Sequence, residues 1–162
     1  MKLDLIPLDR EYLTAVLERR ARPDLGFIDP HGFLDGALDV VAMRRDQLDF
    51  DPELTPWLLR AMVLREDGTA IGFIGFHSGP DPDRAVEIGY EVLPDFRRRG
   101  YAREAAETLM AWAKTQDVRV IRASVAPDNT GSLAMMTGLG FVQTGEHVDE
   151  IDGRELEFER AP

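Results

Sequence analysis

The stretch that decides the fold is Glu87-Ile88-Gly89-Tyr90-Glu91-Val92-Leu93-Pro94-Asp95-Phe96-Arg97-Arg98-Arg99-Gly100-Tyr101-Ala102. Val86, Ile88, Tyr90 and Val92 alternate with Glu87, Gly89 and Glu91, which is the period of a strand with one apolar face. Pro94 ends that strand. Gly100 then opens the plainest helix of the chain, reaching Lys114, with Ala102, Ala105, Ala106, Leu109 and Ala113 on one side. A strand that passes through a short loop into a helix gathers free main-chain N–H groups and the positive end of the helix dipole at one point. An anion, a pyrophosphate in particular, can sit there. Arg97, Arg98, Arg99 and Arg103 stand at this point against only Asp95 and Glu104. Arginines at a helix start oppose the dipole, so this is either a solvated turn or a site that an anion completes.

The rest of the chain supplies the frame. Lys2 to Leu8 alternates as a first strand, and Asp9 reads as the N-cap of a helix through Tyr12, Leu13, Val16 and Leu17. Phe33 to Leu48 reads as a second helix after a loop from Arg22 to Pro30. Trp57 to Arg65 and Ile71 to His77 read as a hairpin around Asp67-Gly68. Gly72 and Gly75 mark close packing or a bend in the returning strand. Beyond the long helix, Val118 to Val125 is a strand. A short helix through Ser132, Leu133 and Met136 follows and ends at Gly138 and Gly140. Phe141 to Val148 and Arg154 to Arg160 close the chain as a hairpin around Asp152-Gly153. The order β–α–α–β–β–β–α–β–α–β–β predicts an α+β fold, a mixed sheet with helices on its faces.

Composition bounds the function. A chain of 162 residues suits one domain. With no cysteine, thiolate metal sites, disulfides and thiol nucleophiles are excluded. His31, His77 and His147 show no metal-ligand spacing, so no metal is expected. A net charge of −11 disfavours nucleic acid as a partner. No long apolar run or leader-like start is present, so no membrane association is expected and a cytoplasmic location is.

Arg97-x-x-Gly100-x-Ala102, placed between a strand and an alanine-rich helix, resembles the acetyl-CoA signature of the GNAT N-acetyltransferase superfamily. Asn129-x-x-Ser132 after the next strand and Leu139-Gly140-Phe141 after the short helix extend the likeness. It is similar to the subgroup that includes the bacterial ribosomal-protein N-terminal acetyltransferases. The match covers Trp57 to Phe158; the N-terminal third agrees only in length and order. The resemblance implies a single GNAT domain over residues 1–162. Its mostly antiparallel central sheet would be splayed between the fourth and fifth strands, with helices on both faces and the pantetheine arm of acetyl-CoA in the opening. Backbone groups of Val92 and Leu93 would bind that arm. Arg97, Arg98, Arg99, Gly100, Tyr101 and Ala102 would form the phosphate turn, with the N–H groups from Arg98 to Ala102 on the pyrophosphate. Asn129 and Ser132 would lie near the thioester, although Asn129 also reads as an ordinary N-cap.

Transfer to an amine needs a base, stabilisation of a developing oxyanion and a proton for the leaving thiolate. Glu87 and Glu91 share the polar face of the central strand and are the candidate bases. Glu87 resembles the position of the family's glutamate base. A backbone N–H near Val92 would serve the oxyanion. Many GNAT enzymes carry an acidic tyrosine where this chain has Met136, which has no proton to give. The ribosomal-type relatives rely on the serine equivalent to Ser132, which is the candidate acid ahead of Tyr101 and of Tyr90, the latter expected to point into the core. His77 and His147 are surface residues by default. The acceptor would be a primary amine, either a protein N-terminus or a small amine. The acidic closing hairpin of Glu146, Asp149, Glu150, Asp152 and Glu155 is either an attractor for it or merely solvated. A homodimer is common among such relatives. The alternative is a non-catalytic acyl-CoA-binding module, suggested by Met136.

Overall fold

The computed structural model describes residues 1–162, which form two compact units. One takes residues 1–79 and 89–106; the other takes 80–88 and 107–162. The elements follow the expected order, with seven strands and four α-helices. The sheet is mostly antiparallel, and β4 (Ala85–Val92) runs parallel to β5 (Val120–Val125).

In the first unit β1 (Leu3–Pro7) pairs antiparallel with β2 (Arg60–Leu64), and β2 with β3 (Ala70–Phe76). Helix α1 (Arg10–Leu17) begins as the sequence implies: the Asp9 carboxylate accepts the Tyr12 N–H at 2.9 Å. Helix α2 is Leu38–Phe50, preceded by a separate 3₁₀ turn at Asp35–Ala37. The single helix expected from Phe33 to Leu48 is thus divided, as Gly36 within it weakens a continuous helix. Trp57, expected in β2, precedes it. The Pro52–Leu54 turn and Pro56 delay the strand to Arg60. Leu8, Leu13, Val41, Leu48, Leu58 and Ala61 are fully buried in this unit's core, each of the larger ones stabilising it by roughly 1.5–3 kcal/mol.

That core holds one unsatisfied group. Thr14 on α1 is buried and its Oγ1 has no hydrogen-bond partner. A buried hydroxyl left unpaired is a net cost. Thr14→Val keeps the shape and removes the hydroxyl, so it is expected to raise stability by about 1 kcal/mol. A thermal melt should then shift upward by about 2–4 °C.

In the second unit the first half of β4 pairs with β5 through Ala85↔Val120, Val86↔Ile121 and Glu87↔Arg122. β5 continues to Val125, and its other edge pairs with β7 (Gly153–Arg160) as far as Val125↔Leu156. β7 closes the expected hairpin with β6 (Val142–Asp149). Helices α3 (Tyr101–Thr115) and α4 (Thr130–Gly138) complete the chain. Both central strands keep their alternation. Val86, Ile88 and Val92 are buried on β4, and Ile121, Ala123 and Val125 on β5, leaving Glu87, Arg122 and Ser124 on the polar side.

Candidate active site

The chain passes from β4 to α3 through a short turn, as expected. Pro94–Phe96 forms a short 3₁₀ turn, and α3 starts at Tyr101. Between them the backbone takes positive φ at Arg98 (62°) and at Gly100 (81°). An arginine in that region costs about 1 kcal/mol or more, strain of the kind that clusters at functional sites. The N–H groups of Arg98, Arg99, Gly100, Tyr101 and Ala102 make no hydrogen bond to the chain. Five successive unpaired donors at a helix N-terminus form an anion cradle.

Side chains beside the turn make contacts of their own. Arg97 Nε donates to the Val92 carbonyl at 2.8 Å, bracing the turn against the end of β4. The Arg99 guanidinium lies 5.7 Å from the Phe96 ring centre, and His31 packs on the same ring at 5.4 Å. Of the two local acids, Glu104 turns away from the cradle and accepts the backbone N–H groups of Lys2 (3.0 Å) and Leu3 (2.8 Å).

Val92 and Leu93 divide their roles. The Leu93 N–H donates to the Ile71 carbonyl at 2.9 Å. Since successive residues of a strand present their N–H groups to opposite edges, the Val92 N–H lies on the edge away from β3. In the same unit a cavity of about 220 Å³ is lined by Arg44, His77, Gly89, Tyr90 and Glu91 among others. Tyr90, expected in the core, is half-buried on this lining instead; a phenol needs a partner for its hydroxyl when its ring is buried.

In the second unit Glu87 is half-buried, and its Oε1 accepts a 2.7 Å hydrogen bond from Ser124 Oγ. Both line a cavity of about 90 Å³ with Arg122, Thr144, Glu157 and Glu159. Arg122 is engaged with Glu159 (3.0 Å) and Asp81 (3.3 Å), which hold its guanidinium pKa above the usual value, the Glu159 hydrogen bond most of all. His147 Nδ1 lies 3.0 Å from Glu157, and its Nε2 lies 3.4 Å from Glu155. Asn129 caps α4, its Oδ1 accepting the Ser132 N–H at 3.2 Å, and Ser132 is half-buried. Met136 is buried and is a packing residue.

The structure thus gathers Arg97 to Ala102 in one turn, joins Asn129 to Ser132, and places Glu87 in a polar cavity. Sequence reasoning missed Ser124. Its signal was available, since the alternation of β5 puts it on the polar side with Arg122. The hairpin acids are partly committed: Glu146 pairs with Arg154, and Asp149 accepts the N–H groups of Asp152 and Ile151, which lower its pKa.

Residues 2–142 match the acetyltransferase (GNAT) domain family, and the chain belongs to that family. It is 34% identical over 87 residues to the uncharacterized N-acetyltransferase YjdG of Bacillus subtilis (strain 168), covering 53% of this chain and 50% of that one. It is 31% identical over 93 residues to aminoglycoside N(6')-acetyltransferase type 1 of Salmonella typhimurium, covering 53% and 64%. The chain spans about half the length of the first of the curated relatives it matches. The crystal structure of ribosomal-protein-S5-alanine acetyltransferase from Vibrio fischeri shares the fold, with a TM-score of 0.64 at 18% identity over 99% of this chain and 93% of that one. No helix is long and apolar enough to cross a membrane.

Proposed function

We propose that the chain is an acetyl-CoA-dependent N-acetyltransferase acting on a primary amine. The observation that carries this is the row of unpaired N–H groups from Arg98 to Ala102, in a chain of the GNAT family. These donors fit the diphosphate of coenzyme A in charge and in number. Bound acetyl-CoA supplies the acyl group in activated thioester form.

The chain's own residues supply the rest. Glu87 accepts a proton from the attacking amine, directly or through a water, so that nitrogen can bond to the carbonyl carbon. The Val92 N–H stabilises negative charge as it develops on the carbonyl oxygen. As the carbon–sulfur bond breaks, the Ser132 hydroxyl donates a hydrogen bond to the departing sulfur, or orients a water that does, and the thiolate takes its proton from solvent. Asn129 orders the start of α4, which sets the Ser132 backbone. The family match takes in parts of both units, which supports residues 1–162 acting as one domain. The acceptor is a protein N-terminal amino group or a small amine. The excess of carboxylates over cations around Glu87 favours a cationic acceptor. The buried Met136 favours one second reading, an acyl-CoA-binding module without turnover.

Calorimetric titration with coenzyme A and acetyl-CoA tests the binding half. Association with a Kd within about 1 μM–1 mM is expected; absence of any heat of binding sinks the proposal. Gly100→Ala sharpens the test. At Gly100 a Cβ would meet no atom of the chain within 4 Å. The substitution therefore costs only the strain of positive φ, about 1 kcal/mol of stability. The methyl would, however, occupy the approach of a phosphate oxygen, so affinity for coenzyme A should fall by about 10-fold or more, equivalent to about 1.4 kcal/mol. Thiol release from acetyl-CoA against spermidine, kanamycin and an alanine-initiated peptide separates enzyme from binding module.

A further inference from the structure

We propose that the Arg99 side chain, held on the Phe96 ring, binds the 3′-phosphate of coenzyme A and makes the protein select coenzyme A over its dephospho form. This rests on the reading of the turn from Arg98 to Ala102 as the diphosphate site.

The ligand carries two separate anionic groups. The neutral main-chain N–H groups of the turn suit the diphosphate. The 3′-phosphate is a monoester on the adenosine ribose, beyond the diphosphate. It is close to a dianion at neutral pH and is best met by a cation of its own.

The three arginines of the turn differ in how they are held. Arg97 is turned back on the Val92 carbonyl. The Arg98 side chain has no hydrogen bond, ion pair or ring contact to hold it. Arg99 also makes no hydrogen bond or ion pair, yet it has a fixed place, since its guanidinium stands over Phe96, 5.7 Å from the ring centre. A guanidinium packed on an aromatic face keeps its planar fork of N–H donors for an oxyanion. Phe96 is set in turn by the Pro94–Phe96 turn and by His31, whose ring packs against it at 5.4 Å. Phe96 and His31 are therefore positioning residues for Arg99. A cation whose place is set beforehand loses less freedom when a phosphate arrives. In a chain of net charge −11, which repels a polyanion at long range, such a local cation weighs more.

The test is calorimetric titration of the whole chain with coenzyme A and with dephospho-coenzyme A in the same buffer. Wild type should bind coenzyme A about 10-fold more tightly than dephospho-coenzyme A. Arg99→Gln should bring the two within about 2-fold, by weakening coenzyme A and leaving dephospho-coenzyme A unchanged. Phe96→Leu keeps the bulk and removes the ring, so it should narrow the preference, whereas lost packing alone would weaken both ligands alike. Arg98→Gln should leave the preference in place. Salt at about 0.5 M should shrink the wild-type preference, because Arg99 is exposed. Equal affinity of wild type for the two ligands overturns the Arg99 proposal and leaves the diphosphate reading standing. So does a preference that survives Arg99→Gln, or one that Arg98→Gln abolishes as fully. No heat with either ligand overturns the diphosphate reading and this proposal with it.

Discussion

Glu87→Gln is expected to lower kcat at neutral pH by about 10²–10⁴-fold, the range a positioned general base contributes. The substitution is nearly isosteric. A glutamine oxygen still accepts the Ser124 hydroxyl, so the cavity should keep its shape. What is lost is a group that can take a proton. Below the pKa of the acceptor amine, only the small unprotonated fraction would then react. The rate should climb about tenfold per pH unit until the amine itself is deprotonated, and the deficit against wild type should narrow on the alkaline side. Affinity for acetyl-CoA should not change, because the donors proposed for the diphosphate are main-chain groups of Arg98 to Ala102. Glu91→Gln is the control. Glu91 is exposed at the end of β4 and its loss should cost far less. Steady-state kinetics across pH 6–10 with the accepted amine decide it. Turnover within about twofold of wild type at pH 7 would remove Glu87 from the base role.

The order of elements and the strand–turn–helix around Arg97 to Ala102 were legible because both are local. The alternation around Glu87, the stop at Pro94, and Gly100 before an alanine-rich helix are patterns within sixteen residues. Asp9 and Asn129 were readable as caps for the same reason, since a cap reaches only three residues along the chain. What the sequence withheld depends on register. The parallel pairing Glu87↔Arg122 joins residues 35 apart in the chain, and nothing local sets it. Alternation along β5 puts Ser124 on the polar side with Arg122, but only the register sets it against Glu87. The retreat of Glu104 to the N–H groups of Lys2 and Leu3 is likewise a contact across a hundred residues. The misjudged boundaries fell where short-range signals conflict. Trp57 has strand propensity but follows Pro52 and Pro56, and the start of α2 competes with Gly32 and Gly36.

Gly72→Ala should be the most damaging small substitution in the first unit. A Cβ built there would lie 2.2 Å from the Glu91 carbonyl oxygen, 3.0 Å from Val92 Cα and 3.2 Å from the Glu91 carbonyl carbon. All three obstacles are backbone, so no side-chain rotation relieves them. β3 and β4 would have to part by roughly 1 Å to reach ordinary contact, in a region where packing yields little. A loss of about 3 kcal/mol or more is expected, with a fall in melting temperature of roughly 6–12 °C. The displacement also has a functional sign. It bears on the strand end that carries the Leu93 N–H bond to Ile71 and the Arg97 brace on Val92. Both fix the approach to the turn proposed to bind the diphosphate. Coenzyme A affinity should therefore fall in whatever fraction remains folded, which calorimetry below the melting range can measure. Gly79→Ala separates crowding from a general intolerance of substitution. Its Cβ would meet only the Leu54 Cδ2 at 3.0 Å, the end of a flexible side chain, so it should melt within about 2 °C of wild type. If Gly72→Ala melts as close to wild type as that control and binds coenzyme A equally well, then β3 does not press on β4 at this point. The end of β4 would then owe its position to the turn itself.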